Sequence, residues 1–255
     1  MINQSFLVTG AAGLLGQAVA KSLYLLGANL VLVDISKDKL NLLTKELELL
    51  KRTGTILEIN SDITQISGIN EVINFAEKTI KKIHGVVHCA YPRTITWGCS
   101  LEDLDENDLF ANLSMQLGGS ILLGRAVMQH FIINGGGTMV YVSSIQGVAA
   151  PKFSHYEGTS MTSPIEYSAV KAGIISMTKW LAKYYSGNNI RVNCVSPGGI
   201  IDNQSSQFLD RYRQSCTNYG MLSSGQVAEV ITFLLSEASF AINGQNVIVD
   251  DGWTL

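Results

Sequence analysis

Phe6-Leu7-Val8-Thr9-Gly10-Ala11-Ala12-Gly13-Leu14-Leu15-Gly16 is the stretch that decides the fold. Phe6 to Thr9 suits a buried strand. Three glycines come next, and then Leu15, Val19 and Leu23 recur at helical spacing until Gly27 provides a stop. A strand that passes through a glycine turn into a helix opens a βαβ unit. Such a turn brings backbone N–H groups against a pyrophosphate at the positive end of a helix. A side chain at the closest approach would block that ligand, and Gly16 lets the helix pack tightly on the strand. The same string also fits an ordinary strand-to-helix turn, so its meaning depends on the rest of the chain.

From residue 30 onward, strand and helix patterns alternate. Strands are predicted at Leu30–Val33, Ile56–Ile59, Val86–Cys89, Met139–Val142, Val192–Val195 and Val247–Val249. Between them lie helical stripes: Ile69, Val72, Ile73, Ala76 and Ile80 form one. Asp105–His130 and Glu166–Tyr185 read as two long helices. The apolar stripes read as core. Seven strands with helical crossovers predict an α/β fold: a Rossmann-type, doubly wound parallel sheet with helices on both faces and one domain over residues 1–255.

Composition narrows the function. Of the 255 residues, 46% are hydrophobic and 15% charged, enough to bury a large core. The formal net charge is −3, with no basic block, which argues against nucleic acid. No apolar run is long enough for a bilayer, and the N-terminus lacks a signal-peptide pattern, so a cytoplasmic protein without a membrane partner is expected. Cys89, Cys99, Cys194 and Cys216 are scattered and fit reduced thiols. Neither they nor His84, His88, His130 and His155 show metal-ligand spacing.

Asp34 closes the second strand, eighteen residues after Gly16. A carboxylate there can accept from both ribose hydroxyls and repels a 2′-phosphate, which favours NAD, with NADP as the alternative. Lys37 softens the preference. A solvated strand end or a helix cap is the plainer reading of Asp34. Tyr167-Ser168-Ala169-Val170-Lys171 places a tyrosine and a lysine on one helix face. A free tyrosine titrates near pH ~10, and a neighbouring ammonium favours its phenolate, making it a usable acid or base. In isolation, the same spacing describes an amphipathic helix with a snorkelling lysine.

The glycine turn, Asp34, Asp62-Ile63, Asn112, Ser143-Ser144, Tyr167 with Lys171, Asn189 to Asn193, Pro197-Gly198 and Gly244-Gln245 through Gly252 occur in one order. In that order the chain resembles the short-chain dehydrogenase/reductase family over nearly its whole length. The resemblance implies an oxidoreductase that moves a hydride between nicotinamide and a secondary alcohol or ketone. It makes Tyr167 the proton-transfer residue, Ser144 the partner of the substrate oxygen, Lys171 the group that lowers the tyrosine pKa and binds ribose, and Asn112 a relay through water. Gly10, Gly13, Leu14, Leu15 and Gly16 would bind the cofactor, with Asp34 on ribose, Asp62 and Ile63 at the adenine, and Ala90 alongside. Tyr167, Lys171, Pro197, Gly198 and Ile200 would serve its nicotinamide end. The resemblance also implies a homodimer or homotetramer.

The chain departs from the family pattern in places. The middle glycine is Gly13, with Leu14 where the common branch has glycine. His88-Cys89-Ala90-Tyr91 replaces Asn-Asn-Ala-Gly, and Asp250-Asp251-Gly252 replaces Asp-Gly-Gly. Ile201-Asp202-Asn203 lacks the threonine that usually contacts the carboxamide. Ser144 and Tyr167 are 23 residues apart, longer than usual by about a loop. That insertion, 152–164, carries Phe153, His155, Tyr156, Glu157 and Thr159, and is expected beside the site; a surface insertion without ligand contact is the alternative. A substrate lid is expected over 202–222, with Arg211, Tyr212 and Arg213 as candidate contacts or as a solvated helix face. Residues 156–161 and the ending 246–255 resemble a narrower group of dehydrogenases of flagellin modification and bacterial surface-sugar synthesis, implying a sugar or nucleotide-sugar substrate. Two other functions are weighed against this: a non-catalytic dinucleotide-binding sensor or scaffold, and a sugar dehydratase or epimerase.

Overall fold

The computed structural model describes residues 1–80, 82–159 and 161–255; Ser160, within the expected insertion, and Lys81 lie outside the described residues. Seven strands form one parallel sheet: β1 (Ser5–Thr9), β2 (Asn29–Asp34), β3 (Ile56–Asn60), β4 (Gly85–His88), β5 (Gly137–Val142), β6 (Ile190–Pro197) and β7 (Asn246–Val249). Their spatial order is β3-β2-β1-β4-β5-β6-β7. The chain winds one way from β1 to β3 and the other way from β4 to β7, so the order reverses between β1 and β4. A crevice opens there, at the carboxyl ends of the strands.

Burial on both faces explains the near-continuous apolar strands: Leu7, Val8, Val31, Leu32, Val86 and Val87 are all fully inaccessible. One core lies under α3 (Ile66–Ile80), α5 (Gly119–Ile133) and α6 (Ile165–Tyr184), with Ile69, Val72, Val127 and Ile174 facing Val31 and Met139. The second lies under α1 (Leu14–Leu25), α2 (Lys37–Glu48) and α8 (Ser224–Leu235), where Val19, Leu23, Leu43 and Ile231 meet Phe6, Val8 and Leu30. The predicted stripes thus bury as expected. Gly27 adopts φ +79°, and its N–H donates to the Tyr24 carbonyl, closing α1.

The expected long helix 105–130 is two helices. Asp105 caps α4 (Glu106–Leu113) by accepting from the N–H groups of Asn107 and Asp108. A π-helical turn, Ser114–Gly118, then separates α4 from α5, which runs on to Ile133. Apolar periodicity cannot register one extra residue in a turn, so the break is invisible in sequence.

A third, smaller apolar cluster sits above the strand ends. Ile145, Phe208 and Tyr212 of α7 (Ser206–Arg213), Met221 and Trp253 bring together the loop after β5, the segment after β6 and the C-terminus.

The turn after β1 is held by backbone proximity. A Cβ on Gly10, which has φ +65°, would lie 2.6 Å from the Ala90 Cα and N. A Cβ on Gly16 would overlap the Gly10 carbonyl and lie 2.9 Å from the Ala11 Cα, whereas one on Gly13 would lie 3.3 Å from the Gly10 oxygen. Gly16→Ala is therefore expected to cost about 1–3 kcal/mol in urea unfolding, and Gly13→Ala distinctly less. Equal losses for the two variants would contradict this account of the turn.

Candidate active site

One cleft of about 1100 Å³ runs along the carboxyl ends of the strands, from Gly10 and Asp34 at one end to Tyr167 and Trp253 at the other. Of the candidate catalytic and cofactor-binding residues, all but one line it. Gly10, Gly13, Leu14, Leu15 and Gly16 form the turn. Asp34 ends β2, Asp62 and Ile63 come after β3, and Ala90 comes after β4. Ser144, Tyr167 and Lys171 lie on the far side, and Pro197, Gly198 and Ile200 also line it.

The glycine end fits a dinucleotide. The cap residue of α1 is Gly13, which has no side chain to satisfy the first N–H groups of the helix. The residues that carry those groups, Leu14, Leu15 and Gly16, line the cleft, at the helix end that favours an anion. Asp34 is fixed by two backbone donors: Ala12 N–H to Oδ2 and Ser36 N–H to Oδ1, both at 3.0 Å. Each oxygen retains a lone pair for a ligand hydroxyl. Asp62 Oδ1 accepts from Thr64 N–H at 2.9 Å and from its hydroxyl at 2.8 Å, which shapes the turn beside the expected adenine position.

At the other end, α6 presents Tyr167 and, one turn on, Lys171. Lys171 is buried, and its Nζ donates to the Val142 carbonyl at 3.0 Å. The ammonium lies 5.4 Å from the ring centroids of both Tyr91 and Tyr167. Burial pulls its pKa down to about 8, with Cys89 pulling the other way. Burial also pushes the Tyr167 phenol above its ordinary value, while the Ser144 hydroxyl opposes that shift. In the protein alone, then, desolvation outweighs the stabilisation of the phenolate expected from the lysine.

The serine pair divides. Ser143 Oγ donates to the Lys171 carbonyl at 2.8 Å, tying β5 to α6. Ser144 Oγ accepts from Gln146 N–H at 3.2 Å and lines the cleft. Asn112 is the candidate that does not line the cleft. It is buried, its Oδ1 accepts from Thr94 N–H at 3.0 Å, and its Nδ2 donates to Thr94 Oγ1 at 3.2 Å. Its side chain clamps the loop after β4.

His88, where the family has asparagine, is buried in a polar chain. Thr9 Oγ1 lies 2.8 Å from Nδ1 and Ser120 Oγ lies 3.0 Å from Nε2. Burial, reinforced by Lys171, pulls its pKa down to about 3, so it is neutral near pH 7. Among the described residues no cluster of histidine, cysteine or acidic side chains has the arrangement of a metal site.

Several cleft residues carry no sequence signal of their own. Tyr91 and Trp97 stand edge-on to the Tyr167 ring, with centroids at 5.6 and 6.2 Å. In sequence Tyr91 is only a departure from glycine; a tyrosine right after a central strand's end is the available clue. Gln146 has no such clue. The insertion does reach the cleft, through His155, Tyr156, Met161, Thr162 and Pro164. Of the three lid candidates, Tyr212 lines the cleft and its hydroxyl accepts from Gly199 N–H at 2.6 Å. Arg211 turns onto the insertion, donating to the Ser154 and Glu157 carbonyls, and Arg213 is exposed.

A doubly wound parallel sheet with a glycine-cradled cleft at its switch point, ending in tyrosine, serine and lysine, defines a dinucleotide-dependent oxidoreductase. The chain belongs to the short-chain dehydrogenase/reductase family: the family model described as enoyl-(acyl carrier protein) reductase matches residues 10–254. It is 38% identical over 254 residues to the post-translational flagellin modification protein A of Campylobacter coli, covering 99% of both chains. It is 32% identical over 250 residues to a 3-oxoacyl-[acyl-carrier-protein] reductase of Thermotoga maritima, covering 96% of each. Among solved structures, a short-chain dehydrogenase from Leptospira borgpetersenii with bound NAD⁺ superposes with a TM-score of 0.86 at 27% identity, covering all of this chain and 94% of that one.

The lowered pKa of Lys171 has a thermodynamic signature. Its ordinary value is 10.5 and its folded value about 8, so between those pH values the unfolded chain binds more protons than the native one. This contribution to stability is present above pH 10.5 and is lost as pH falls through about 8. The difference in unfolding free energy, wild type minus Lys171→Met, should therefore rise with pH across that window. Buried tyrosines and the cysteines not coupled to Lys171 cancel in the difference, and Cys89→Ala in both proteins removes the coupled one; a flat difference would refute a desolvated lysine.

Proposed function

We propose that the chain transfers a hydride between nicotinamide and the carbon of a secondary alcohol or ketone, and that the substrate is a sugar or an activated sugar. The observation that carries the chemistry is the meeting of Tyr167, Ser144 and Lys171 at the end of a cleft whose other end suits a dinucleotide. A bound nicotinamide supplies the hydride donor or acceptor. Tyr167 gives a proton to the substrate oxygen during reduction or takes it during oxidation. Ser144 Oγ, fixed by Gln146 N–H, donates to the same oxygen and steadies its developing charge. Lys171 keeps positive charge behind the phenol, and the Val142 carbonyl fixes its position.

A proton leaving Tyr167 must reach solvent. We assign Asn112 to that route indirectly: by clamping Thr94 it holds the loop that carries Tyr91 and Trp97 against Tyr167. A water relay past its helix is compatible with this placement. The sugar reading draws on the similarity to a flagellin modification protein over 99% of both chains and on the polar insertion facing the cleft. Four free thiols fit a cytoplasmic setting. Exposed Phe110 on α4 and Trp180 and Tyr184 on α6 fit burial in a homodimer or homotetramer.

Tyr167→Phe keeps the ring and removes the proton. Turnover, followed by nicotinamide absorbance over free and nucleotide-linked amino sugars and simple ketones, should fall by about 10²- to 10⁴-fold. Unchanged turnover would refute the tyrosine mechanism. We further propose NAD as the preferred cofactor, because the Asp34 carboxylate would meet a 2′-phosphate directly. Wild type should bind NAD⁺ at least roughly tenfold more tightly than NADP⁺, a difference of about 1.4 kcal/mol. Asp34→Ala should narrow that ratio in calorimetric titration; an NADP⁺ preference in the wild type would reverse the assignment.

A further inference from the structure

The hydride-transfer chemistry leaves one group of cleft side chains unused. Tyr156, on the insertion, lines the cleft, and its ring packs on Phe208 with centroids 5.4 Å apart. A phenylalanine would pack equally well, so the hydroxyl needs its own explanation. It accepts from Gln146 Nε2 at 3.2 Å, while Gln146 Oε1 accepts from Ser163 Oγ at 2.7 Å. The amide is thus held at both ends, and the Gln146 main-chain N–H is the group that orients Ser144 Oγ. With Gln146 donating to it and the Ser163 hydroxyl also beside it, the Tyr156 hydroxyl still has its own proton to offer a ligand.

Its position relative to the reacting atoms is close. Gln146 links Tyr156 to Ser144: the Gln146 main-chain N–H donates to Ser144 Oγ and its Nε2 to the Tyr156 hydroxyl, and Ser144, Tyr156 and Tyr167 all line the cleft. A ligand oxygen held by Tyr167 and Ser144 therefore shares the cleft with the Tyr156 hydroxyl, and a substituent beside that oxygen is what Tyr156 would meet. Another part of the lining is aromatic: Tyr91 and Trp97 flank Tyr167 and stand edge to face with each other at 5.5 Å. The insertion cannot swing away freely. Thr162 Oγ1 donates to the Gly98 carbonyl, and Arg211 of α7 donates to the carbonyls of Ser154 and Glu157. The cleft lining thus sets polar groups and aromatic rings around the end that holds Tyr167 and Ser144. A polyhydroxylated ring, with apolar C–H faces and a hydroxyl edge, matches that division.

We propose that Tyr156, braced by Gln146 and Ser163, selects substrates that carry a hydroxyl on the carbon next to the reacting one; this rests on the hydride-transfer reading above. A pocket built to bond a hydroxyl rejects the analogue lacking it, because its polar groups are then left unpaired.

Two matched ketones test it: 2-hydroxycyclohexanone and cyclohexanone, each with NADH. Wild type, Tyr156→Phe and Phe153→Ala are compared, with kcat and KM resolved separately. For wild type, kcat/KM should favour the hydroxyketone at least roughly tenfold. Tyr156→Phe should collapse that ratio chiefly through KM. Phe153→Ala, on the same loop with its side chain exposed, should keep it. Calorimetry of the NADH-loaded protein with trans-1,2-cyclohexanediol and cyclohexanol, a pair that lacks a hydride acceptor, should show the same preference and the same loss without turnover. A hydroxyl-bearing compound no better than its partner in wild type, or a preference surviving in Tyr156→Phe, overturns the inference. Turnover of either ketone that survives Tyr167→Phe instead overturns the hydride-transfer reading beneath it.

Discussion

The rest of the structure depends on how closely the turn after β1 approaches the end of β4. Gly10 rests against the Ala90 backbone, and Gly16 rests against the Gly10 carbonyl. These contacts seat α1 tightly on β1 and bring the first N–H groups of α1 to the cleft. They lie where the strand order reverses, so the same backbone that closes the sheet opens the crevice. A side chain at either position would push α1 or the loop after β4 outward, and Tyr91 and Trp97 travel on that loop.

Burial decides the electrostatics of the other half. Lys171 is held in a largely desolvated place by one carbonyl, while His88 behind it stays uncharged because burial and the lysine both oppose its protonation. A second cation beside the ammonium would be costly in a low-dielectric interior. The neutral histidine instead bridges Thr9 of β1 and Ser120 of α5. Ser143 adds a tie from β5 to the carbonyl of Lys171 itself. The face that carries Tyr167 is thus anchored by polar bonds made under the sheet ends, which gives it a fixed position relative to the cofactor end.

The legibility of each feature in the sequence depends on what that feature requires. The central strands announce themselves because burial on both faces demands unbroken apolar runs, and the partly buried edge strands β3 and β7 still fall on short apolar runs. The glycine turn and Asp34 are readable because few residue types fit a close backbone approach or a ribose edge. The π-helical turn at Ser114–Gly118 leaves no mark, since one extra residue barely disturbs a helical stripe. Asn112 is visible as a residue but not as a clamp on Thr94, because the partner lies in an irregular loop whose path no periodicity predicts. Gln146 and Tyr156 escape as a pair for the same reason: ten residues separate them, and only the folded insertion brings amide to hydroxyl.

Asp251 shows how a departure from the family pattern can be absorbed. It adopts φ 53°, a left-handed conformation that favours glycine, where the usual motif has one. Its carboxylate meets the N–H groups of Asn218, Tyr219 and Gly220, and the Gly220 bond leads in pulling its pKa down to about 2. The acid thereby fastens the C-terminal turn to the segment that delivers Met221 into the cleft, beside Trp253. Lys152 of the insertion closes the circuit from the other side by donating to the Trp253 carbonyl at 3.2 Å while lying 4.6 Å from its ring centroid. The end of the cleft near Trp253 is therefore assembled from side chains of three distant segments cross-tied to one another, whereas the end at Gly10 to Gly16 is shaped by close backbone contacts. A change in the insertion can alter what the site accepts without disturbing the glycine contacts that hold the sheet and α1 together.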